Sequence, residues 1–176
     1  MNETFVGNNL EETAYHEAGH VVVAAALGLE LRIRGITIYE VSSDVMDGLA
    51  CYWDDETDWE KNLQALLGGQ IAQWRKFPET NLVDGSRPDR ENFTEKARQH
   101  FAGSSPSDVW ARVRDKVHAL FDVAPHWSAV IEIADTLITS PWADETEHPF
   151  AKRKKHLDGA ALVAILAAHG ISARLR

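Results

Sequence analysis

Two histidines four residues apart, His16 and His20, with Glu17 directly after the first, are the residues of this sequence whose spacing carries most chemistry. On a helix, positions i and i+4 lie on one face about a turn apart, so both imidazoles can reach one metal ion. Glu17 is turned about 100° round the helix from His16, which brings its carboxylate to a metal-bound water without making it a ligand. This is the H-E-x-x-H arrangement, in which zinc needs two imidazoles and a nearby base. With 8 His in 176 residues, roughly 0.03 fortuitous matches to the pattern are expected. The pair leads into the uncharged run VVVAAALGL, which reads as a buried helix. Buried imidazoles and a buried carboxylate need partners, and a metal supplies them. The competing reading is a pair of core histidines satisfied by other groups.

A catalytic zinc takes three protein ligands and keeps a position for water, so a third ligand must be sought. Cys51 falls in a strand-like run, and a single thiolate is unusual in hydrolytic zinc sites. His100, His118, His126, His148, His156 and His169 are scattered, with no partner at ligand spacing. Asp84 and Glu91 flank a loop of interest. Asp89 has the better physical case, because on a helix opening at Ser86 it shares the apolar stripe of Phe93, Ala97 and Phe101. It also completes Ser86-x-x-Asp89, an ordinary helix N-terminus. On the residues alone, ligand and helix-start readings both stay open.

The elements that must position these groups can be read from periodicity and caps. A helix over about Leu10–Leu27 carries the pair, with Asn8 or Asn9 as cap and Gly28 as its end. Leu31, Ile33, Ile36 and Ile38, a turn-prone VSSDVMDG and Leu49–Trp53 read as a β-hairpin or two neighbouring strands. A second helix spans roughly Trp59–Trp74, a third runs from Ser86 to about Phe101, and a fourth opens at Ser105 or Ser107 and reaches about Phe121. Pro125 starts a fifth, to about Leu137, and Asp158 caps a last one ending near Gly170. The acidic Asp54–Glu60 and the basic Lys152–Lys155 read as solvated runs, and the six tryptophans as core and pocket anchors. The expected fold is mainly α (α+β), with a small β-hairpin or sheet beside the zinc-site helix.

Length and composition fit a single domain over residues 1–176: 44% hydrophobic, 26% charged, with no repeat and no Gly/Ser/Pro-rich linker. A net charge of −9 disfavours nucleic acid and anionic membranes as partners. One cysteine cannot form an internal disulfide, and MNETFVGN is not a signal peptide, so the expected compartment is cytoplasmic. No run is long enough to span a bilayer and no P-loop pattern occurs.

Thr13-Ala-Tyr-His-Glu-Ala-Gly-His20 resembles the zinc-site helix of the FtsH family of ATP-dependent metalloproteases, which carries the same HEAGH core. Ile36-Thr-Ile38 and Gly48-Leu-Ala resemble that family's strand pair, and Leu67-Gly-Gly-Gln-Ile-Ala72 resembles its helix with a Leu-Gly-Gly element. Gly85-Ser-Arg-Pro-Asp89, followed by Thr94-Glu-Lys-Ala-Arg98, is similar in residues and gaps to the segment supplying the family's aspartate ligand. Leu157-Asp-Gly resembles the end of the domain, so the likeness runs in order along nearly the whole chain. It implies a helical zincin-like peptidase fold, zinc on His16, His20 and Asp89, and Glu17 as general base.

Three departures stand out. The family's ATPase module and membrane anchor are absent from this sequence, its Arg and Glu after Gly-Gly are Gln70 and Gln73, and Arg87-Pro88 replaces its small or polar pair before the aspartate. The resulting expectation is a zinc metallopeptidase acting on small peptides or unfolded protein, with substrate paired to the free edge of Ile33–Tyr39 or Leu49–Trp53. A homo-oligomer or a separate ATPase unfoldase is the partner expected if the chain works as a protease subunit. The alternative from another class is a non-catalytic, zinc-stabilised interaction module, against which the retained Glu17 argues.

Overall fold

Helix α1, Leu10–Ala26, is the centre of the fold, and every residue from Glu12 to Ala25 is buried. It begins at Asn9, whose side chain accepts from the Glu12 amide at 2.9 Å. The computed structural model describes residues 9–43, 45–80 and 87–176, so the alternative cap Asn8, Asp44 of the hairpin turn, and Asp84, Gly85 and Ser86 before Asp89 lie outside the described residues.

After α1 come β1 (Leu31–Ser42), β2 (Val45–Tyr52), α2 (Trp59–Lys76), a 3-10 turn (Pro78–Thr80), α3 (Arg87–His100), α4 (Pro106–Phe121) and α5 (Ala124–Thr139). Then β3 (Ala143–Asp144), β4 (Arg153–Leu157) and α6 (Gly159–Ala168) complete the described order. The fold is therefore mainly helical with one small antiparallel sheet, as the periodicity implies. Asp58, Ser105 and Asp158 cap α2, α4 and α6 through the amides of Lys61, Asp108 and Ala161. A single cluster of buried side chains joins α1 and α2 to Val109, Val113 and Val117 of α4, Ile133 and Leu137 of α5, and Leu162 and Leu166 of α6.

The packing of α1 on α2 depends on missing side chains. A Cβ on Gly19 would lie 2.4 Å from the Gly68 carbonyl oxygen and 2.5 Å from the Ala72 Cβ, while one on Gly68 would lie 2.6 Å from the Gly19 oxygen. These obstacles are largely backbone and cannot swing aside, so the two helices approach as closely as they do only because both positions are glycine.

The sheet order is β2-β1-β4-β3. The hairpin of β1 and β2 is present, with Ile36 opposite Ala50 and Ile38 opposite Gly48, and both isoleucines are fully buried. Its register shifts between Leu31 and Ile36, where Gly35 takes φ 63° and a Cβ would lie 2.1 Å from the Leu157 carbonyl oxygen.

The Lys152–Lys155 expectation is corrected. Lys152 and Arg153 are exposed as a solvated run requires, but Arg153–Leu157 is a strand paired with β1, and Lys155 is buried. Its charges are taken up by groups distant in sequence: Arg153 by Glu40, Lys154 by Glu145 at 3.0 Å, and the buried Lys155 by the Ser140 carbonyl and the face of Trp142. The tryptophans are corrected in part. None of the six is fully buried; several edge the core, while Trp53, Trp59, Trp127 and Trp142 carry cationic side chains on their faces. No helix among the described residues is long and apolar enough to cross a membrane.

Gly19→Ala should therefore lower stability by about 1–3 kcal/mol, and thermal unfolding should show Tm falling by several degrees. An unchanged Tm would mean that the two helices can part without cost.

Candidate metal centre

Helix α1 turns His16 and His20 to one side, and α3 brings Asp89 of its first turn against them. Asp89 Oδ2 lies 2.8 Å from His16 Nε2 and 3.3 Å from His20 Nε2, and the two Nε2 atoms are 3.0 Å apart. The histidines are 5% exposed, and the Asp89 side chain is 26% exposed toward a cleft.

The far side of each ring is held by α2. His20 Nδ1 lies 2.8 Å from the Ala65 carbonyl oxygen, and His16 Nδ1 lies 3.1 Å from Gln73 Oε1. A carbonyl oxygen can only accept, so each Nδ1 carries a hydrogen, and each ring, when neutral, aims the lone pair of Nε2 inward. Two such lone pairs and a carboxylate oxygen then meet at one point, an arrangement that a proton on one Nε2 or a cation among the three relieves. A tetrahedral ion with bonds of about 2.0–2.1 Å sets its donors roughly 3.3 Å apart, close to the 2.8, 3.0 and 3.3 Å found. Two imidazoles and one carboxylate are also donors that suit zinc. The residues present fit such an ion.

Glu17 sits beside this point: one of its carboxylate oxygens and one ring nitrogen each of His16 and His20 fall within 4.8 Å of one another. Strand β2 closes over it: a Cβ on Gly48 would lie 2.3 Å from Glu17 Oε1, so glycine leaves the room the carboxylate occupies. Gly69 does the same for His20, since a Cβ there would lie 2.4 Å from Nε2. Sequence reading of the pair misses both glycines and the Ala65 carbonyl. The Leu-Gly-Gly element and the glycine opening Gly48-Leu-Ala are the only local signals pointing to them.

Burial raises the Glu17 carboxyl above its ordinary value, and the neighbouring His16 and His20 pull it partly back. Burial works against charging His20, but the adjacent Asp89 carboxylate outweighs it and lifts the imidazole to about 9. Asp89, although burial resists its charge, is held well below the usual carboxylate range by the same two histidines.

The other candidates stand elsewhere. Cys51 is half-buried on β2. His100 stacks on Trp59, His126 meets the Leu120 carbonyl, His148 stacks on Tyr39, His156 meets Thr37 and His169 meets Glu132. His118 and Glu91 are exposed on α4 and α3. Among the described residues, the only cluster of three such side chains with converging ligand atoms includes His16, Glu17 and His20.

The cleft above the cluster has a volume of about 500 Å³ and is walled by β2, the Trp53–Glu56 segment, α3 and Leu66 of α2.

No protein-family model matches the chain. Over 117 residues it is 31% identical to the ATP-dependent zinc metalloprotease FTSH 9, chloroplastic/mitochondrial, of Oryza sativa subsp. japonica. That match covers 64% of this chain and only 15% of the rice protein, a distant FtsH-related likeness.

With the metal removed, His20 held at about 9 against about 6.5 in the unfolded chain stabilises the fold fully below pH 6.5. That contribution fades as pH rises through 9. Chelator-treated wild type should lose stability across this window in denaturant titrations, and Asp89→Asn should flatten the dependence. An equally steep profile in the variant would show that Asp89 does not raise His20.

Proposed function

We propose that the chain is a zinc metallopeptidase, with His16, His20 and Asp89 as zinc ligands and Glu17 as general base. The observation that carries this reading is the meeting of three lone-pair donors beside a fourth, separately seated carboxylate. A site built only to hold a metal has no use for that extra buried acid.

A zinc ion bound there supplies Lewis-acid chemistry, lowering the pKa of a water and polarising the substrate carbonyl. Glu17 takes the proton of the attacking water and passes it to the leaving amine nitrogen. Burial raises its pKa, so it holds the transferred proton more readily than an exposed carboxylate does. Gln73 and the Ala65 carbonyl fix the two imidazoles in one tautomer and one orientation.

Substrate peptide is placed by β2. Residues Ile36–Glu40 of β1 are paired on both sides, by β2 and by β4, which removes the first of the two edges considered for it. Strand β2 ends the sheet and lines the cleft, so an extended peptide can add to it with its carbonyl over the cluster. The substrates assigned to this cleft are unfolded protein segments and small peptides, which can take the extended form that strand addition needs.

The test is metal analysis together with digestion of unfolded β-casein. Wild type is expected to hold about one zinc per chain and to cut casein. Glu17→Gln should keep the zinc and lose at least about 100-fold in rate, while Asp89→Asn should lose both metal and activity. Casein cleavage unchanged in Glu17→Gln would refute the assignment of the base, and no cleavage by wild type loaded with zinc would favour a non-catalytic module.

A further inference from the structure

Attack on a peptide carbonyl moves an electron pair onto its oxygen, and a protein donor aimed at that oxygen lowers the barrier to its formation. Most side-chain donors lining the cleft are committed elsewhere. Thr13 Oγ1 donates to the Asn9 carbonyl at 2.9 Å, and Asn62 Nδ2 donates to the Asp55 carbonyl at 2.8 Å. Lys96 binds Asp54 at 3.1 Å and lies over the Trp59 ring. Arg32 donates through Nε to the Tyr52 carbonyl at 3.3 Å and stacks its guanidinium on Trp53, 3.9 Å from the ring centroid. Asn92 is on the exposed face of α3.

Tyr52 is different. It ends β2, and strand alternation puts its side chain on the face that Gly48 presents to Glu17, two steps beyond Ala50. Its ring lines the cleft and packs against the core, and no described residue bonds its hydroxyl. Burial raises the phenol far above its ordinary value, and Asp89, Asp54 and Glu17 push it in the same direction, so it remains a protonated donor at any working pH. A half-buried phenol that lines the same cleft as His16, Glu17 and His20, its hydroxyl bonded by no described residue, is a donor unused among the described residues in a region of few alternatives.

We infer that Tyr52 is a catalytic residue whose phenolic hydroxyl donates a hydrogen bond to the carbonyl oxygen of the scissile peptide as negative charge builds there. This inference rests on the peptidase reading above. As the water oxygen bonds to the carbonyl carbon, the π pair moves to the oxygen that Tyr52 holds, and Glu17 takes the water's proton. The pair then returns, the C–N bond breaks with its electrons going to nitrogen, and that nitrogen receives the proton from Glu17. Tyr52 keeps its own proton throughout.

The experiment compares wild type and Tyr52→Phe in zinc content, Tm, the rate at saturating β-casein, and affinity for a phosphinic peptide built on the casein bond that wild type cuts. The phosphinic group mimics the tetrahedral oxyanion. Tyr52→Phe should keep its zinc and its Tm, lose about 100-fold in kcat with little change in KM, and bind the phosphinic peptide weaker by a similar factor. Retention of kcat and inhibitor affinity within about threefold overturns the inference. So does a rate loss that tracks lost zinc or a lowered Tm, because a merely structural role produces that. If zinc-loaded wild type does not cut casein, it is the peptidase reading that fails, a result told apart by requiring no variant at all.

Discussion

The close contact of α1 with α2 determines what the buried histidines can do. Where Gly19 crosses Gly68, the two backbones come near enough for groups of α2 to reach round the rings of α1. The Ala65 carbonyl meets one Nδ1 and Gln73 the other. Each acceptor fixes a tautomer, and each tautomer fixes where the remaining lone pair points. A helix pair separated by ordinary side chains would leave those Nδ1 hydrogens unpaired in a dry interior, a cost of about 1–3 kcal/mol each. The glycines thus serve stability and site geometry by one act of packing.

Strand β2 meets α1 by a related device. Gly48 faces Glu17, so the sheet comes down onto the carboxylate instead of displacing it, and the burial that results is what raises its pKa. The same strand is the end of the sheet and a wall of the cleft. The acid and the surface on which a substrate would lie are thereby fixed to one another through a single backbone contact.

Much of this was legible in the sequence because it is local. His16, Glu17 and His20 occupy one turn of one helix, the caps Asn9, Asp58, Ser105 and Asp158 sit next to the helices they start, and the alternation of β1 announces a strand. What was not legible depends on partners far along the chain. Arg153–Leu157 looks like a solvated basic run because its neutralising groups, Glu40, Ser140 and Trp142, come from other elements. Gly48 and Gly69 act by what they lack, and an absent Cβ carries no sign of which distant side chain needs the space. Asp89 was open between helix start and ligand because it is both: it lies in the first turn of α3 and its oxygen faces the two histidines.

Charge balance gives the substitution at Gln73 a physical meaning. With both imidazoles neutral, as metal ligation requires, the buried cluster of His16, His20, Asp89 and Glu17 has a formal charge of −2. A dication brings it to zero, the condition under which burial costs least. Glutamate at position 73, as in the family this sequence resembles, would add a third negative charge behind His16. It would make that ligand more basic and leave the loaded cluster at −1. Gln73 presents the same acceptor geometry at 3.1 Å without the charge. The orientation of His16 is kept, and a dication held by His16, His20 and Asp89 would leave the cluster neutral, with less of its positive charge offset than beside a glutamate.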